Sequence, residues 1–295
     1  MGVDASLTAQ TVQPLLQKWF PGAKVSPYMT PLAADASTRR YVRVVWDVPG
    51  AGQPASCILM ICDPWKTTET PDFLAVGRHL HACGIRVPRV YGISPLQGLI
   101  CLEDYGDRTL AAQWQYASAE RLLWGQRAID ELVQLHTVGT QRYDPACPAF
   151  HLLFDVPKLL SELQFFRQHA LEGLWQQPLT AAARDAWDAA CTPLCALLAA
   201  QPRYFCHRDY HGWNIMVLHG AIGLLDFQDA RLGPQPYDLV SLLLDRGTPG
   251  MLGEEASRAL IDYYIRRLEA EESRHISRAE FTELFEHVAV QRCLK

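Results

Sequence analysis

Hydrophobic and polar positions divide this chain into two stretches with different periods. Over the first hundred residues the apolar positions come in short runs. Tyr41 to Trp46 and Ser56 to Cys62 are rich in β-branched and aromatic residues and predict strands, joined by the Pro/Gly segment from Val48 to Pro54 as a hairpin with a long loop. Across residues 72–83, Phe73, Val76, Gly77 and Leu80 fall at helical spacing, and the run ends at Gly84. Val87 to Tyr91 and Leu99 to Glu103 predict two more strands around a turn containing Pro95 and Gly98. A small α+β lobe is therefore expected over residues 1–103.

After Asp104 the period changes. Residues 119–136, 155–170 and 181–200 read as long amphipathic helices. A β-rich stretch from Tyr204 to Phe227 interrupts them, and helices resume at Tyr237 and near Glu254. Ser277 and Glu280 form a capping-box pattern ahead of a stripe of Phe281, Leu284, Phe285 and Val288. The stripe is still running at Leu294, so the chain is expected to stop inside a helix. The second lobe, residues 104–295, is helical, which makes the fold class α+β with two lobes.

Composition narrows the function classes. At 295 residues with 49% apolar and 20% charged residues, the chain reads as a soluble globular protein. Apolar runs such as Val240 to Leu244 are far too short to span a bilayer, so no membrane partner is expected. A net charge of −5 offers no basic stripe for a nucleic-acid backbone. The nine cysteines are odd in number, scattered and without a C-x-x-C pair, which suits a reducing cytoplasm better than a disulfide framework or zinc ribbon. The polar segment Gly2 to Gln13 lacks the basic and apolar regions of a signal peptide. Gly2 and Ser6 match M-G-x-x-x-S, a loose pattern better read as coincidence.

The polar residues crowd in one place: His207-Arg208-Asp209-Tyr210-His211-Gly212-Trp213-Asn214, then Asp226-Phe227-Gln228 twelve residues after Asn214. Phosphoryl transfer needs an acceptor-only side chain to orient a hydroxyl, and oxygen ligands to hold Mg²⁺ against nucleotide phosphates. An Asp, an Asn five residues on and a second Asp supply these parts. The strands Asn214 to Leu218 and Ala221 to Leu225, with Gly220 between them, predict a hairpin that brings Asn214 to Asp226. A zinc reading of His207 and His211 with Cys206 needs a helix, and the flanking strand pattern argues against one.

The spacing resembles the H-R-D-x-x-x-x-N and D-F-G arrangement of kinases, with Gln228 in place of Gly. That resemblance implies Asp209 as catalytic base or orienting group, and Asn214 and Asp226 as metal ligands. The segment from Asp226 to Pro236 contains no Ser, Thr or Tyr, so activation-loop phosphorylation has no acceptor. Residues 33–41, with Asp35, Ser37 and Thr38, occupy the place of the phosphate loop. Glu103-Asp104-Tyr105 resembles the hinge that meets the adenine, through Glu103 and Tyr105. Met60 stands near the position where kinases carry a strand lysine, and Arg39, Arg40 and Lys66 are the candidate replacements. Asp238, in G-x-x-x-x-D-L, is expected to support the catalytic loop.

Taken together, L-A-A-D-A-S-T-R-R-Y, the lysine-free I-L-M strand, I-R-V-P-R-V, L-E-D-Y-G-D-R, H-R-D-Y-H-x-x-N-I-M-V and L-D-F-Q-D-A resemble the aminoglycoside phosphotransferase and choline kinase-like superfamily, with its bilobal protein-kinase-like fold. Within it the chain is most similar to bacterial anomeric kinases of N-acetylmuramate and N-acetylglucosamine, which act in peptidoglycan recycling. Members usually continue beyond this chain's end, and often carry Arg where Trp213 stands. The resemblance implies ATP as donor, Mg²⁺ as cofactor and a sugar's anomeric hydroxyl as acceptor. The acceptor is expected between Asp209 and a helical insert with Asp155, Glu162, Phe165, Phe166 and Arg167. His211, Asp229 and Glu162 are its candidate contacts, Asp229 serving either a sugar hydroxyl or the loop itself. An antibiotic-modifying kinase and a non-catalytic nucleotide-binding scaffold are the competing classes.

Overall fold

In a computed structural model of the protein, which describes residues 9–21, 28–32, 39–46, 54–116 and 118–294, the chain forms two compact units. The first comprises Met1–Pro71 and Pro88–Gly106, the second Asp72–Val87 and Asp107–Lys295.

In the first unit, helix α1 (Ala9–Trp19) precedes strands β1 (Tyr28–Pro31), β2 (Arg40–Val45), β3 (Ser56–Ile61), β4 (Val90–Ser94) and β5 (Leu99–Glu103). The five strands form one antiparallel sheet in the order β1-β2-β3-β5-β4. Alternation along β2 buries Val42 and Val44, as a strand with one covered face requires. Val12 and Leu16, one helical turn apart on α1, pack with Phe20 against Val44, Trp46, Leu59 and Leu99. Neither α1 nor β1 was legible in the periodicity; Gln13 and Pro14 break up the short apolar stripe of α1. Strand β4 starts later than the expected Val87, because Pro88 has no N–H to give a ladder. The turn into β5 closes at Gly98 with φ 64°, where a Cβ would come 2.1 Å from the Cys62 carbonyl oxygen.

The second unit holds α2 (Asp72–Ala82), α3 (Leu110–Tyr116), α4 (Arg121–Gln134), α5 (Val156–Phe166) and α6 (Ala181–Ala199), then β6 (Arg203–Cys206), β7 (Ile215–Val217), β8 (Ile222–Leu224) and β9 (Arg231–Pro234). Helices α7 (Tyr237–Leu244), α8 (Thr248–Leu252), α9 (Glu254–Glu272) and α10 (Arg278–Cys293) follow. The first unit extends to Gly106, and α2 groups with the helical unit. Its buried face explains why. Phe73 stacks on Phe227 with ring centroids 4.8 Å apart, His79 Nε2 lies 3.0 Å from the Gly139 carbonyl oxygen, and Gln134 Nε2 donates to the Cys83 carbonyl at 2.8 Å.

Two helices widen at their ends: Leu135–Gly139 follows α4 and Arg167–Leu174 follows α5 as π-helical turns. The first carries buried His136, whose Nδ1 lies 2.7 Å from the Tyr264 hydroxyl on α9. Caps set the entries. Asp155 accepts from Lys158 N at 2.9 Å to open α5, and Ser277 Oγ accepts from Glu280 N at 3.4 Å to open α10. Among the described residues no helix is long and apolar enough to cross a membrane.

Candidate active site

Strand β6 delivers the chain into the loop His207 to Asn214, which backbone hydrogen bonds then fix. Asp238, fully buried in the first turn of α7, accepts from His207 N at 2.6 Å and Arg208 N at 2.9 Å. The buried amide of His207 and the part-buried amide of Arg208 share one carboxylate. This is the support expected of Asp238. His207 Nε2 lies 2.9 Å from the Leu225 carbonyl, which ties the loop to the end of β8. Tyr210, also fully buried, donates its hydroxyl to the Ala128 carbonyl on α4 at 2.7 Å. Gly212 O accepts from Ala111 N at 2.9 Å, and a Cβ at Gly212 would meet that nitrogen at 3.1 Å. The 207–214 segment is not helical, so the i, i+4 pairing of His207 and His211 needed for zinc does not form. His136, Cys206 and Asp238 do lie close together and buried, but Asp238 already serves the two loop amides.

The hairpin β7–β8 forms as expected and brings Asn214 to the Asp226 segment, with Leu225 N donating to Asn214 O at 2.9 Å. Asn214 Nδ2 donates to Asp209 O at 3.0 Å and lies 3.4 Å from His211 Nε2. With its nitrogen so engaged, the amide oxygen of Asn214 is the atom left to face a cation. Arg208 and Asp226 adopt left-handed backbone angles, φ 82° and 59°, unusual for side-chain-bearing residues and costly unless the surroundings impose them. Gln228, the departure from Gly, donates Nε2 to Asp226 Oδ1 at 2.8 Å and to Asp229 Oδ2 at 3.2 Å. It therefore orients the exposed Asp226 carboxylate. A carboxylate and an amide oxygen form a hard-oxygen donor pair that suits Mg²⁺.

Beside the loop, charged side chains from four elements converge. Glu162 on α5 is buried and lies 3.0 Å from Lys158 Nζ and 3.5 Å from Arg208 Nη2, while Gln291 Nε2 donates to it at 3.1 Å. Arg208 Nη1 also meets Asp229 Oδ1 at 3.3 Å. Arg292, next to Gln291 on α10, lies 3.5 Å from Asp209 Oδ1. Burial lowers the Arg231 guanidinium from its usual range, helped by the nearby charge of Arg208. Burial also lowers His211, although Asp245 and Asp209 pull it upward. Asp155 is the α5 cap, Phe165 is 60% exposed and lies tilted against the His169 ring, and Phe166 faces Trp175 and Trp187.

The first unit carries the remaining candidates. Met60 is buried within the sheet, opposite Tyr41 and Ile100. Glu103 Oε2 accepts from Arg89 N at 3.2 Å, and Tyr105 is half-buried. Lys66 pairs with Glu69 at 3.5 Å on the surface, and Arg40 opens β2 one residue after Arg39. Asp35, Ser37 and Thr38 lie outside the described residues.

Residues at the site that the sequence left unassigned include Arg208, Gln228 and Arg292. Arg208 sits inside the H-R-D motif, between two residues whose side chains carry the motif's more obvious chemistry. Gln228 was visible only as a departure. Arg292 lies 83 residues from Asp209, and no local pattern links them.

Residues 29–279 match the phosphotransferase enzyme family. The chain is 31% identical over 274 residues to an N-acetylmuramate/N-acetylglucosamine kinase of Neisseria meningitidis, covering 90% of this chain and 76% of that protein. It is 31% identical over 217 residues to a protein of the same name from Pseudomonas aeruginosa, covering 74% of this chain but only 60% of the relative. Among solved structures, choline kinase from Cryptosporidium parvum superposes with a TM-score of 0.66 over 97% of this chain and 87% of that one, at 12% identity. That likeness establishes a kinase-like fold.

Proposed function

Because the chain belongs to the phosphotransferase enzyme family, we propose that it transfers the γ-phosphoryl group of ATP to the anomeric hydroxyl of N-acetylmuramate, N-acetylglucosamine or a close relative, as a cytoplasmic step of cell-wall recycling. The observation that carries this reading is the anchored loop that presents Asp209 beside Asn214, with Asp226 joined to it through Leu225. The kinases of the same sugars to which the chain is similar support the choice of acceptor.

In the reaction, the acceptor oxygen bonds to the γ-phosphorus while the bond to the β,γ-bridging oxygen breaks and ADP leaves with that electron pair. The hydroxyl proton passes to the Asp209 carboxylate. An anomeric hydroxyl is more acidic than other sugar hydroxyls, so one carboxylate suffices to orient and deprotonate it. Asn214 and Asp226 would hold Mg²⁺, which supplies positive charge at the nucleotide phosphates. Gln228 keeps the Asp226 carboxylate aimed. Met60, Glu103 and Tyr105 belong to the nucleotide's share of the proposal, and His211, Glu162 and Asp229 to the acceptor's.

An antibiotic-modifying kinase would need an acidic wall for a polycation. Here Glu162 and Asp229 both meet Arg208, and Glu162 meets Lys158 as well. That neutralisation favours a sugar. Phosphorus NMR of reactions containing ATP, Mg²⁺ and a panel of amino sugars and aminoglycosides tests the reading, and a sugar 1-phosphate is expected. Turnover of aminoglycosides alone, or a product phosphorylated only at a non-anomeric position, overturns the choice of acceptor. Nucleotide binding with no turnover of any acceptor leaves a scaffold.

A further inference from the structure

We propose that Arg292, in the last turn of α10, is a positioning residue that holds the Asp209 carboxylate in its working orientation. The inference rests on the phosphotransfer reading above and extends it to a residue far from the sequence motifs.

The guanidinium is fixed on several sides. Its Nη2 donates to the hydroxyl of buried Ser241 on α7 at 2.8 Å, and its central carbon lies 5.7 Å from the ring centroid of buried Tyr237. The same Nη2 is 3.5 Å from Asp209 Oδ1. That distance is long for a strong hydrogen bond, so what Arg292 supplies at Asp209 is chiefly a fixed charge. Its side chain is 13% exposed, against 27% for that of Asp209. Drawing an arginine this far out of water costs free energy that a surface residue would not incur. The adjacent residue acts in parallel, since Gln291 is fully buried and donates to Glu162 at 3.1 Å. Two consecutive residues of α10 thus engage the catalytic carboxylate and the carboxylate of the helical insert.

A carboxylate that must present one oxygen to an acceptor hydroxyl loses rate when it samples other rotamers. A misplacement on the order of 1 Å costs about 100-fold. A cation anchored by Ser241 and covered by Tyr237 restricts that sampling without touching substrate.

Steady-state kinetics of Arg292→Ala, Arg292→Lys and Ser241→Ala test the inference. In Arg292→Ala, kcat is expected to fall about 10- to 100-fold with the nucleotide KM unchanged. Arg292→Lys recovers part of the loss, and millimolar guanidinium chloride restores part of it in Arg292→Ala but none in Asp209→Asn. Wild-type kcat in folded Arg292→Ala overturns the proposal. So does a loss that neither lysine nor guanidinium relieves, which would mark Arg292 as packing. If Arg292→Ala fails to fold, Ser241→Ala, which keeps the charge but releases its anchor, is expected to lower kcat several-fold at an unchanged Tm; an unchanged kcat overturns the inference. If the wild type phosphorylates no sugar, the proposed acceptor falls separately. The same comparison then runs on ATP hydrolysis with water as acceptor, where equal rates in wild type and Arg292→Ala overturn the role of Arg292.

Discussion

Asp104 in the sheet-bearing unit and Asp209 in the helical unit each face an arginine, on very different terms. Asp104 is gripped. Arg43 reaches its two oxygens at 2.7 and 3.0 Å, Ser56 Oγ donates at 2.7 Å and Gly106 N at 2.9 Å. Arg292 stands off from Asp209 at 3.5 Å, and the Asp209 side chain keeps 27% exposure against 7% for that of Asp104. A carboxylate locked by short bonds is committed to holding backbone and side chains together. Asp209 keeps more of its side chain open to solvent, as the phosphotransfer reading proposed above asks of a carboxylate that meets a substrate hydroxyl.

The sharpest test of that contrast is the pair Asp209→Asn and Asp104→Asn. Asp209→Asn is expected to lower kcat by about 10²- to 10⁴-fold while nucleotide binding and Tm stay close to wild type. Asp104→Asn should instead lower Tm and leave kcat in the folded protein nearly intact. Substantial residual turnover in folded Asp209→Asn would remove the distinction.

Next in size is the anchor beneath the loop. Asp238→Ala leaves the buried amide of His207 and the part-buried amide of Arg208 without their acceptor, at about 1–3 kcal/mol for each group. Denaturant titration should show a loss of about 3 kcal/mol or more, with turnover falling as the loop loosens. A variant as stable as wild type would mean that water replaces the carboxylate, and that the loop's geometry has another source.

These two sites also mark how far the sequence could be read. Asp209, Asn214, Asp226 and Asp238 lie in short motifs whose spacing is dictated by a loop, a hairpin and a helix start, so local rules reach them. The 207–214 loop and the β7–β8 hairpin followed from the same locality. Arg292 and Gln291 meet their partners only through the packing of α10, across 83 and 129 residues. No periodicity encodes that meeting. The affiliation of α2 was hidden for a related reason. Its apolar stripe announced a helix, but a stripe does not say which surface covers it, and the partners turned out to be Phe227, Gly139 and Gln134. Strand β1 and helix α1 escaped because a four-residue strand and an interrupted stripe carry too few positions to stand out.

A smaller effect probes the insert. Glu162→Gln preserves shape and the contact with Gln291 but removes the charge that Lys158 and Arg208 share. Asp229 remains to Arg208, so the expected loss of stability is only about 1 kcal/mol. Were Glu162 an acceptor contact, the acceptor KM would rise about tenfold, equivalent to about 1.4 kcal/mol, with the nucleotide KM unchanged. Unaltered acceptor KM would assign Glu162 to the insert's architecture, on the same side of the comparison as Asp104.

The smallest effect is one of pH and concerns Asp104 itself. Burial pulls this carboxyl upward, but the hydrogen bonds from Arg43, Gly106 and Ser56, together with the charge of Arg43, bring it below the usual carboxylate range. A depressed folded value means that the unfolded chain binds more protons as the solution is acidified. The stabilisation is therefore complete above the unfolded value, about 3.9 for an aspartate, and disappears as pH falls through the lower folded value. Arg43→Ala removes the chief opposition to burial, so the folded carboxyl rises toward or past the unfolded value; the variant is less stable at neutral pH and loses less further stability on acidification than wild type. Thermal unfolding from neutral pH into the acid range checks this, with Asp104→Asn as the control that lacks the titrating group. Were the wild-type and Arg43→Ala profiles to differ only by a constant offset, Arg43 would stabilise through packing. The grip on Asp104 would then be geometric and no longer electrostatic, and the contrast with Asp209 would rest on distance and exposure.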